Sequence, residues 1–307
     1  MTVDFTGQVA IVTGAGGGLG RAHARALAAR GAHVVVNDLA GSSDESSTDN
    51  TSHSPADRVV AEITARGGSA IADYADVTDY AQVTTMLDRA LDAWGRVDIL
   101  INNAGILRDA SFRKADLDEF RTVLDVHLMG AVHCTKAVWD TMISQRYGRI
   151  LMTSSASGIY GNFGQANYGA AKSALVGLMN VLAVEGEPKG IHVNALAPLG
   201  ATTMTESILT PEEYRALQPE AITPGALFLV SAQAPTKTIL GAGAGVFAVS
   251  AMREAHGHYL PPEHWTVEDI AAHWDWISDT STLSSTDSTT AQIRNYVDRA
   301  TGAITHP

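Results

Sequence analysis

The stretch that most constrains this chain is Gly14-Ala15-Gly16-Gly17-Gly18-Leu19-Gly20. It follows a short apolar, β-branched run, Gln8 to Thr13, and opens a helical pattern that continues to Arg30. Glycines at such a junction let the backbone turn sharply from strand to helix. They also bring bare main-chain N–H groups to a helix N-terminus, where the dipole favours an anion. A tight turn without a ligand would use the same residues, so the reading depends on the remainder of the chain.

Beyond the loop the pattern alternates regularly. Strand-like segments at His33–Asn37, Ser69–Asp73, Val97–Asn102, Arg149–Ser154 and His192–Ala197 alternate with helical patterns at Ala56–Arg66, Tyr80–Trp94, Leu117–Arg146 and Asn167–Glu185. A final strand is expected near Gly245–Ser250. Successive βαβ units with right-handed crossovers imply an α/β fold, a single Rossmann-like doubly wound parallel sheet with helices on both faces. Residues 1–250 are expected to form this domain and 251–307 a C-terminal extension. In the extension Trp265, Trp274 and Trp276 favour packing, whereas the Ser/Thr-rich Ser278–Thr290 reads as linker. Two stretches break the rhythm: Gly41–Ser54, almost wholly Ser, Thr, Asp, Asn and Gly, reads as a loop, and Pro198–Gln218 as a lid after a strand end.

A net charge of −12 excludes nucleic acid as a partner, because phosphate backbones are bound by clustered Lys and Arg. It does not exclude a small phosphorylated ligand held by backbone amides. Cys134 is the only cysteine, so no intrachain disulfide forms and a reducing compartment fits. No leader segment precedes the first strand pattern and no run of about 20 apolar residues occurs, so a cytoplasmic protein without a membrane span is expected.

Asp38 ends the second strand. An acidic side chain there can accept hydrogen bonds from both hydroxyls of an adenosine ribose and would repel a 2′-phosphate. No Arg or Lys precedes Gly18 in the loop and Leu39 follows Asp38, which together favour NAD over NADP; a solvated strand-end carboxylate is the alternative. Gly14, Gly18, Leu19 and Gly20 would then meet the pyrophosphate side. Asp76 and Val77, after the third strand, would meet the adenine or simply form an N-cap or turn. Asn102 and Asn103 can brace neighbouring strands while Ala104 and Gly105 allow close approach, although a plain turn uses such residues too. Pro198 ends the sixth strand, where ligands of open α/β sheets bind. No metal site is expected.

Tyr168 and Lys172 are spaced i and i+4 on a helix and so share a face, as they would on any amphipathic helix. A phenol is a poor base at neutral pH, but a neighbouring ammonium stabilises phenolate and lowers its pKa. Ser155 lies just past a strand, where its hydroxyl could hold a substrate oxygen, with Ser154 as a weaker alternative. These three side chains suffice for oxidation of an alcohol: Tyr168 takes the hydroxyl proton while the carbinol hydride passes to nicotinamide.

In this order the motifs resemble the classical short-chain dehydrogenase/reductase family over roughly Phe5 to Ser250. A narrower likeness runs through Val36-Asn37-Asp38-Leu39, Asn103-Ala104-Gly105-Ile106-Leu107-Arg108-Asp109 and the segment Ser154 to Tyr168. These segments are similar to the (3R)-hydroxyacyl-CoA dehydrogenase part of peroxisomal multifunctional enzymes of type 2, which include 17β-hydroxysteroid dehydrogenase type 4. The resemblance implies that Ser155 orients the substrate oxygen, Tyr168 is the acid/base, and Lys172 binds nicotinamide ribose while lowering the tyrosine pKa. Many members place a catalytic Asn in an Asn-Leu-x-Gly segment; here it reads His127-Leu128-Met129-Gly130, as in the narrower group. His127 then either tunes the proton relay or is a hydrogen-bonded structural histidine.

The resemblance further implies a small-molecule substrate, an acyl-CoA or a steroid, and a homo-oligomer (dimer or tetramer) formed through Leu117–Arg146 and Asn167–Glu185. No hydratase or sterol-carrier segment follows Asp279, so a stand-alone dehydrogenase is expected. The loop at Gly41–Ser54 lacks the positive charge that would meet a CoA phosphate, and the Pro198–Thr205 segment follows the narrower pattern only loosely. Oxidation of a 3-hydroxyacyl-CoA leads, against a free hydroxysteroid dehydrogenase. Two further readings are a non-catalytic NAD-binding sensor and an epimerase or dehydratase sharing Tyr-x-x-x-Lys. The intact Ser155, Tyr168 and Lys172 argue against the sensor, and the short chain after Ala197 against the epimerase.

Overall fold

A computed structural model describes residues 2–39, 54–200, 210–286 and 288–302. All five residues of β1 (Val9–Thr13) are buried, and a strand buried on both sides must lie in a sheet covered by helices on each face. Val9 and Ile11 enter one hydrophobic core and Ala10 and Val12 the other, as the two-residue period of a strand requires. β1 pairs in parallel with β2 (His33–Asn37) and with β4 (Ile99–Asn102), and β2 with β3 (Ser69–Asp73). The parallel ladder continues from β4 to β5 (Gly148–Thr153), β6 (Ile191–Pro198) and β7 (Ile239–Gly243). With β8 (Val246–Ser250) beside β7, the order is β3-β2-β1-β4-β5-β6-β7-β8. Chain direction across the sheet reverses between β1 and β4, the position at which open α/β sheets receive ligands.

On one face, α1 (Gly18–Ala28), α2 (Pro55–Thr64) and α9 (Pro219–Leu229) bury Leu27, Val59, Ile63, Ile222 and Leu229. On the other, α3 (Tyr80–Trp94), α5 (Gly130–Gln145) and α7 (Ala166–Gly186) bury Met86, Trp139, Met142, Leu175 and Met179. Each such side chain contributes roughly 1.5–3 kcal/mol when taken from water. Local chemistry sets the helix ends. Asp79 accepts hydrogen bonds from the N–H groups of Ala81 and Gln82 at the start of α3, and Gly95 closes it at φ 74.

The structure corrects the expected continuous helix at Leu117–Arg146. After α4 (Leu117–Leu124), Asp125–Met129 form one π-helical turn before α5 begins. The wider turn carries an extra residue and directs His127 inward, to 3% exposure. β7 is not apparent from the sequence, because Gly241 and Gly243 dilute its apolar pattern. From β7 the chain turns through Ala244 and Gly245, both at positive φ, into β8, the backbone geometry of a type I′ hairpin. In the stretch expected to be a lid, the capping box of Thr210 and Glu213 starts α8 (Pro211–Ala216). The residues 41–53 of the Ser/Thr/Asp loop, and Thr202, Thr203 and Met204 of the lid, lie outside the described residues.

Arg149, 5% exposed, has no carboxylate partner among the described residues. It donates instead to the carbonyls of Ser231 (3.0 Å), Gly148 (2.8 Å), Gly190 (3.1 Å) and Ala232 (3.3 Å). Ser231 and Ala232 follow the end of α9 and Gly190 the turn after α7, where helix carbonyls carry partial negative charge.

The chain divides into two units, Met1–Val249 and Ser250–Pro307. The second contains α10 (Val267–Ala272), α11 (Trp274–Ile277) and α12 (Thr289–Ala300). Within it the Tyr296 phenol and the Gln292 amide donate to the Glu254 carboxylate at 2.5 and 2.9 Å. The expected linker at Ser278–Thr290 is structured where it is described. Asp279 caps a 3-10 turn at Thr280–Thr282, Ser284 pairs with Glu254, and the Ser288 hydroxyl caps α12. Hydroxyl side chains that suit a linker also suit caps and turns.

Candidate active site

The carboxyl ends of β1 and β4 are tied together by side chains. The Thr13 hydroxyl accepts from the N–H groups of Asn103 (3.0 Å) and Ala104 (3.1 Å). The Asn103 amide donates to the carbonyls of Thr13 (2.9 Å) and Gly14 (3.0 Å), the bracing expected of paired asparagines. Gly14 lies at φ +62, and a Cβ there would come within 2.8 Å of Ala104 Cα. A Cβ on Gly20 would strike the Gly14 carbonyl. Gly18 opens α1, Gly17 faces open space, and Leu19 borders Gly200, two residues beyond Pro198 at the end of β6.

The Asp38 carboxylate accepts the Gly16 N–H at 2.7 Å, which places it against the glycine loop. Burial raises its pKa, opposed by the Gly16 and Leu39 amides. Asp76 uses its carboxylate locally, accepting from the N–H and hydroxyl of Thr78, both at 2.8 Å. Val77 is buried, and a Cβ on Gly130 would lie 2.6 Å from its Cγ2. Thr13, Val77, Ala104, His127 and Lys172 line one small cavity, so the cofactor-side and catalytic candidates share a wall.

Ser155 begins the short α6 (Ala156–Tyr160), its hydroxyl accepting the Ser157 N–H at 3.2 Å. Tyr168 and Lys172 stand one turn apart on α7, with Lys172 Nζ 5.5 Å from the Tyr168 ring centroid and 2.6 Å from the Thr153 carbonyl it donates to. The Ser154 hydroxyl is buried and donates to the Lys172 carbonyl at 2.8 Å, so it serves the fold and leaves Ser155 as the hydroxyl beside the phenol. Burial holds the Tyr168 pKa above the usual phenol value; the hydrogen bond with Ser155 lowers it and the negative charge of Asp109 raises it. This corrects the expectation that Lys172 lowers the phenol pKa in the protein alone. Burial has pushed Lys172 itself down to about 7, so near neutral pH the amine supplies only part of a positive charge.

His127 Nε2 lies 3.0 Å from the Ile106 nitrogen and 2.8 Å from the Ile106 oxygen, so either tautomer finds a backbone partner. Its ring meets that of Tyr168 edge to face, with centroids 5.2 Å apart and planes at 86°. Burial, then the charge of Lys172, pushes its pKa down to about 3, so the imidazole is neutral. Sequence reasoning assigns Asp109 no role. Its carboxylate accepts from Gln165 Nε2 at 2.8 Å and acts on Tyr168 through space, and only its place in the Asn103–Asp109 motif marks it in the sequence.

These residues fit a nicotinamide dinucleotide. Gly14 and Gly20 exclude side chains from the loop at the head of α1, and Asp38 sits against that loop as a ribose acceptor would. In its ammonium form Lys172 carries three N–H donors, one of them used by Thr153.

Residues 8–213 match the family model for short chain dehydrogenases. The chain belongs to the short-chain dehydrogenase family. As a member it is an oxidoreductase of CH–OH groups that works with a nicotinamide dinucleotide. It is similar to "Peroxisomal multifunctional enzyme A" of Dictyostelium discoideum, at 46% identity over 89% of this chain and 60% of that protein. It is 51% identical to "Peroxisomal multifunctional enzyme type 2" of Mus musculus, over 73% of this chain and 30% of the relative. The chain thus spans 30% to 60% of the length of these relatives. A 7α-hydroxysteroid dehydrogenase solved with NADH and 7-oxo glycochenodeoxycholic acid superposes with TM-score 0.69 at 32% identity, over 79% of this chain and 95% of that one. Among the described residues no helix is long and apolar enough to cross a membrane, and no cluster of side chains could hold a metal ion.

Proposed function

We propose that this dehydrogenase oxidises a 3-hydroxyacyl-CoA to the 3-oxoacyl-CoA with NAD. The supporting observation is the convergence of the Ser155 hydroxyl, the Tyr168 phenol and the Lys172 amine at the carboxyl ends of β4 and β5. The acyl-CoA class is supported by the likeness to multifunctional enzymes at 46% and 51% identity. NAD rather than NADP is supported by Asp38 against the glycine loop, and by the NADH in the related hydroxysteroid dehydrogenase.

When bound, NAD supplies the two-electron acceptor. Ser155 holds the substrate oxygen with its hydroxyl. Tyr168 Oη, held next to it, takes the hydroxyl proton in oxidation and returns it in reduction. When protonated, Lys172 keeps two N–H donors for the nicotinamide ribose and stabilises the phenolate. His127 stays neutral and takes no proton at working pH. Gly14, Gly18, Leu19 and Gly20 serve the pyrophosphate, Val77 and the Asp76 turn the adenine, and Asn103, Ala104, Gly105 and Pro198 the nicotinamide half. A homo-oligomer formed through α4, α5 and α7 is supported by exposed Leu117 on α4, Met129 in the π turn before α5, and Val181 and Val184 on α7.

The test is an NADH-absorbance assay with 3-hydroxyacyl-CoA and hydroxysteroid substrates side by side. Turnover of the thioester is expected; turnover of hydroxysteroids alone would transfer the assignment to the bile-acid-type activity. Tyr168→Phe is expected to abolish turnover while NAD still binds, and an active Phe variant would refute the chemistry.

A further inference from the structure

The negative charge of Asp109 acts on the Tyr168 phenol. The loop after β4 is stitched along the residues leading into α7: the Ala110 N–H donates to the Gly164 carbonyl at 2.9 Å, and Ala110 bridges Gln165. The Asn167 side chain donates to the Arg108 carbonyl at 2.9 Å while accepting the Tyr168 N–H at 2.7 Å. Between these ties, Gln165 Nε2 fixes the Asp109 carboxylate at 2.8 Å. Asp109 is exposed and makes no ion pair among the described residues. Its neighbour Arg108 is committed to Glu119 at 2.8 Å.

The groups facing the phenol are Lys172 on its own helix, Ser155 from α6, neutral His127 from the π turn, and Asp109 from the β4 loop. Among the described residues Asp109 is the anion that acts on Tyr168. A carbinol held by Ser155 and Tyr168 carries its C1 group two carbons away. If C1 is a free carboxylate, a second anion must enter the field of Asp109; if C1 is a thioester, it need not.

Building on the proposed dehydrogenase reading, we propose that Asp109 is a specificity-determining residue that disfavours anionic hydroxy acids and leaves the site to uncharged acyl derivatives, thioesters foremost. Asp109 is exposed, so a second unit charge entering its field changes binding by about threefold to tenfold, an effect that salt weakens. Preference for the thioester thus arises in part from repulsion of the free acid, without added contacts to CoA.

The test compares kcat/KM with NAD for 3-hydroxybutyrate and for its uncharged N-acetylcysteamine thioester, a pair differing at C1 and free of CoA phosphates. In Asp109→Asn, which preserves the acceptor for Gln165, the thioester-to-acid ratio is expected to fall about threefold to tenfold. Asp109→Glu keeps the wild-type ratio. About 0.5 M salt is expected to lower the wild-type ratio and leave that of Asp109→Asn unmoved. An equal ratio in wild type and Asp109→Asn overturns the proposal. If wild type turns over neither compound, the substrate reading fails separately, and the decision passes to phenolate absorbance of the cofactor-free protein, with Tyr168→Phe as the blank. There Asp109→Asn is expected to lower the Tyr168 pKa by about half to one unit, and an unmoved value overturns the proposal.

Discussion

Gly105→Ala is the substitution for which the structure gives the sharpest expectation. A Cβ at this position would lie 2.8 Å from His127 Nδ1 and 3.1 Å from Nε2, with Cε1 closer still. Carbon contacts are comfortable from about 3.5 Å, so the imidazole must retreat by roughly 1 Å. It has little room to do so, because its edge already meets the Tyr168 ring and its Nε2 is held by Ile106. Overpacking of this kind costs about 1–3 kcal/mol, and stranding a buried ring nitrogen costs about 1–3 kcal/mol more. A net loss of about 3 kcal/mol lowers the melting temperature by about 6–12 °C in a domain of this size. Displacing the Tyr168 ring by a fraction of an ångström lowers kcat as well, by up to about a hundredfold. The decisive assay is a double-mutant cycle read by thermal unfolding. In a His127→Ala background the new methyl group has space, so the coupling is expected to offset the single cost by about 2–3 kcal/mol. If Gly105→Ala destabilises both backgrounds equally, the wedge between the β4 loop and Tyr168 is not what the glycine protects.

Three further outcomes are expected. Lys172 has a folded pKa of about 7 against 10.5 for the free group, so the unfolded chain binds more protons between those values and stability of the cofactor-free protein rises with pH across that window. Lys172→Met is expected to remove this slope and stabilise the protein at pH 7 by on the order of 3 kcal/mol in urea titrations, while abolishing turnover. His23 is fully buried, bonded to the Thr223 hydroxyl at 3.0 Å, and burial pushes its pKa down to about 4. Its contribution is therefore present above pH 6.5 and lost as pH falls through 4; an acid melting series for His23→Gln is expected to be flatter by about 3 kcal/mol. At Gly17 the backbone is extended and a Cβ meets nothing within 4 Å. Gly17→Arg combined with Asp38→Ala is expected to raise the NADP-to-NAD ratio of kcat/KM about a hundredfold, measured with both cofactors.

The features legible in the sequence are those decided over a few residues. The strand–glycine–helix junction and the i, i+4 spacing of Tyr168 and Lys172 follow from strand and helix periods, and the structure holds both in the expected elements, while Asp38 lies one residue beyond the end of β2. The π turn at Asp125–Met129 escapes a reading that assumes one helical period from Leu117 to Arg146. β7 escapes because Gly243 answers to a distant residue: a Cβ there would lie 2.8 Å from Leu199 Cβ. The direction of the Tyr168 pKa depends on burial summed over several elements, and the role of the Thr153 carbonyl on main-chain geometry that no side-chain pattern encodes. In the extension, Ser284 and Ser288 do in folded structure what their composition would equally allow in a linker.

Arg149 makes the underside of the sheet sensitive to chain length. Its charge is met by the carbonyls of Gly148 at the start of β5, of Gly190 in the turn after α7, and of Ser231 and Ala232 in the connection after α9. Because the ion is met by main-chain carbonyls and the face of the Tyr147 ring, 4.3 Å away, and by no carboxylate among the described residues, exchange of neighbouring residue types other than Tyr147 leaves it provided for. Lengthening a connection does not. An extra residue beside the exposed Ala232 and Gln233 would withdraw acceptors from a buried guanidinium, so this outlying bend tolerates new identities far better than it tolerates insertion.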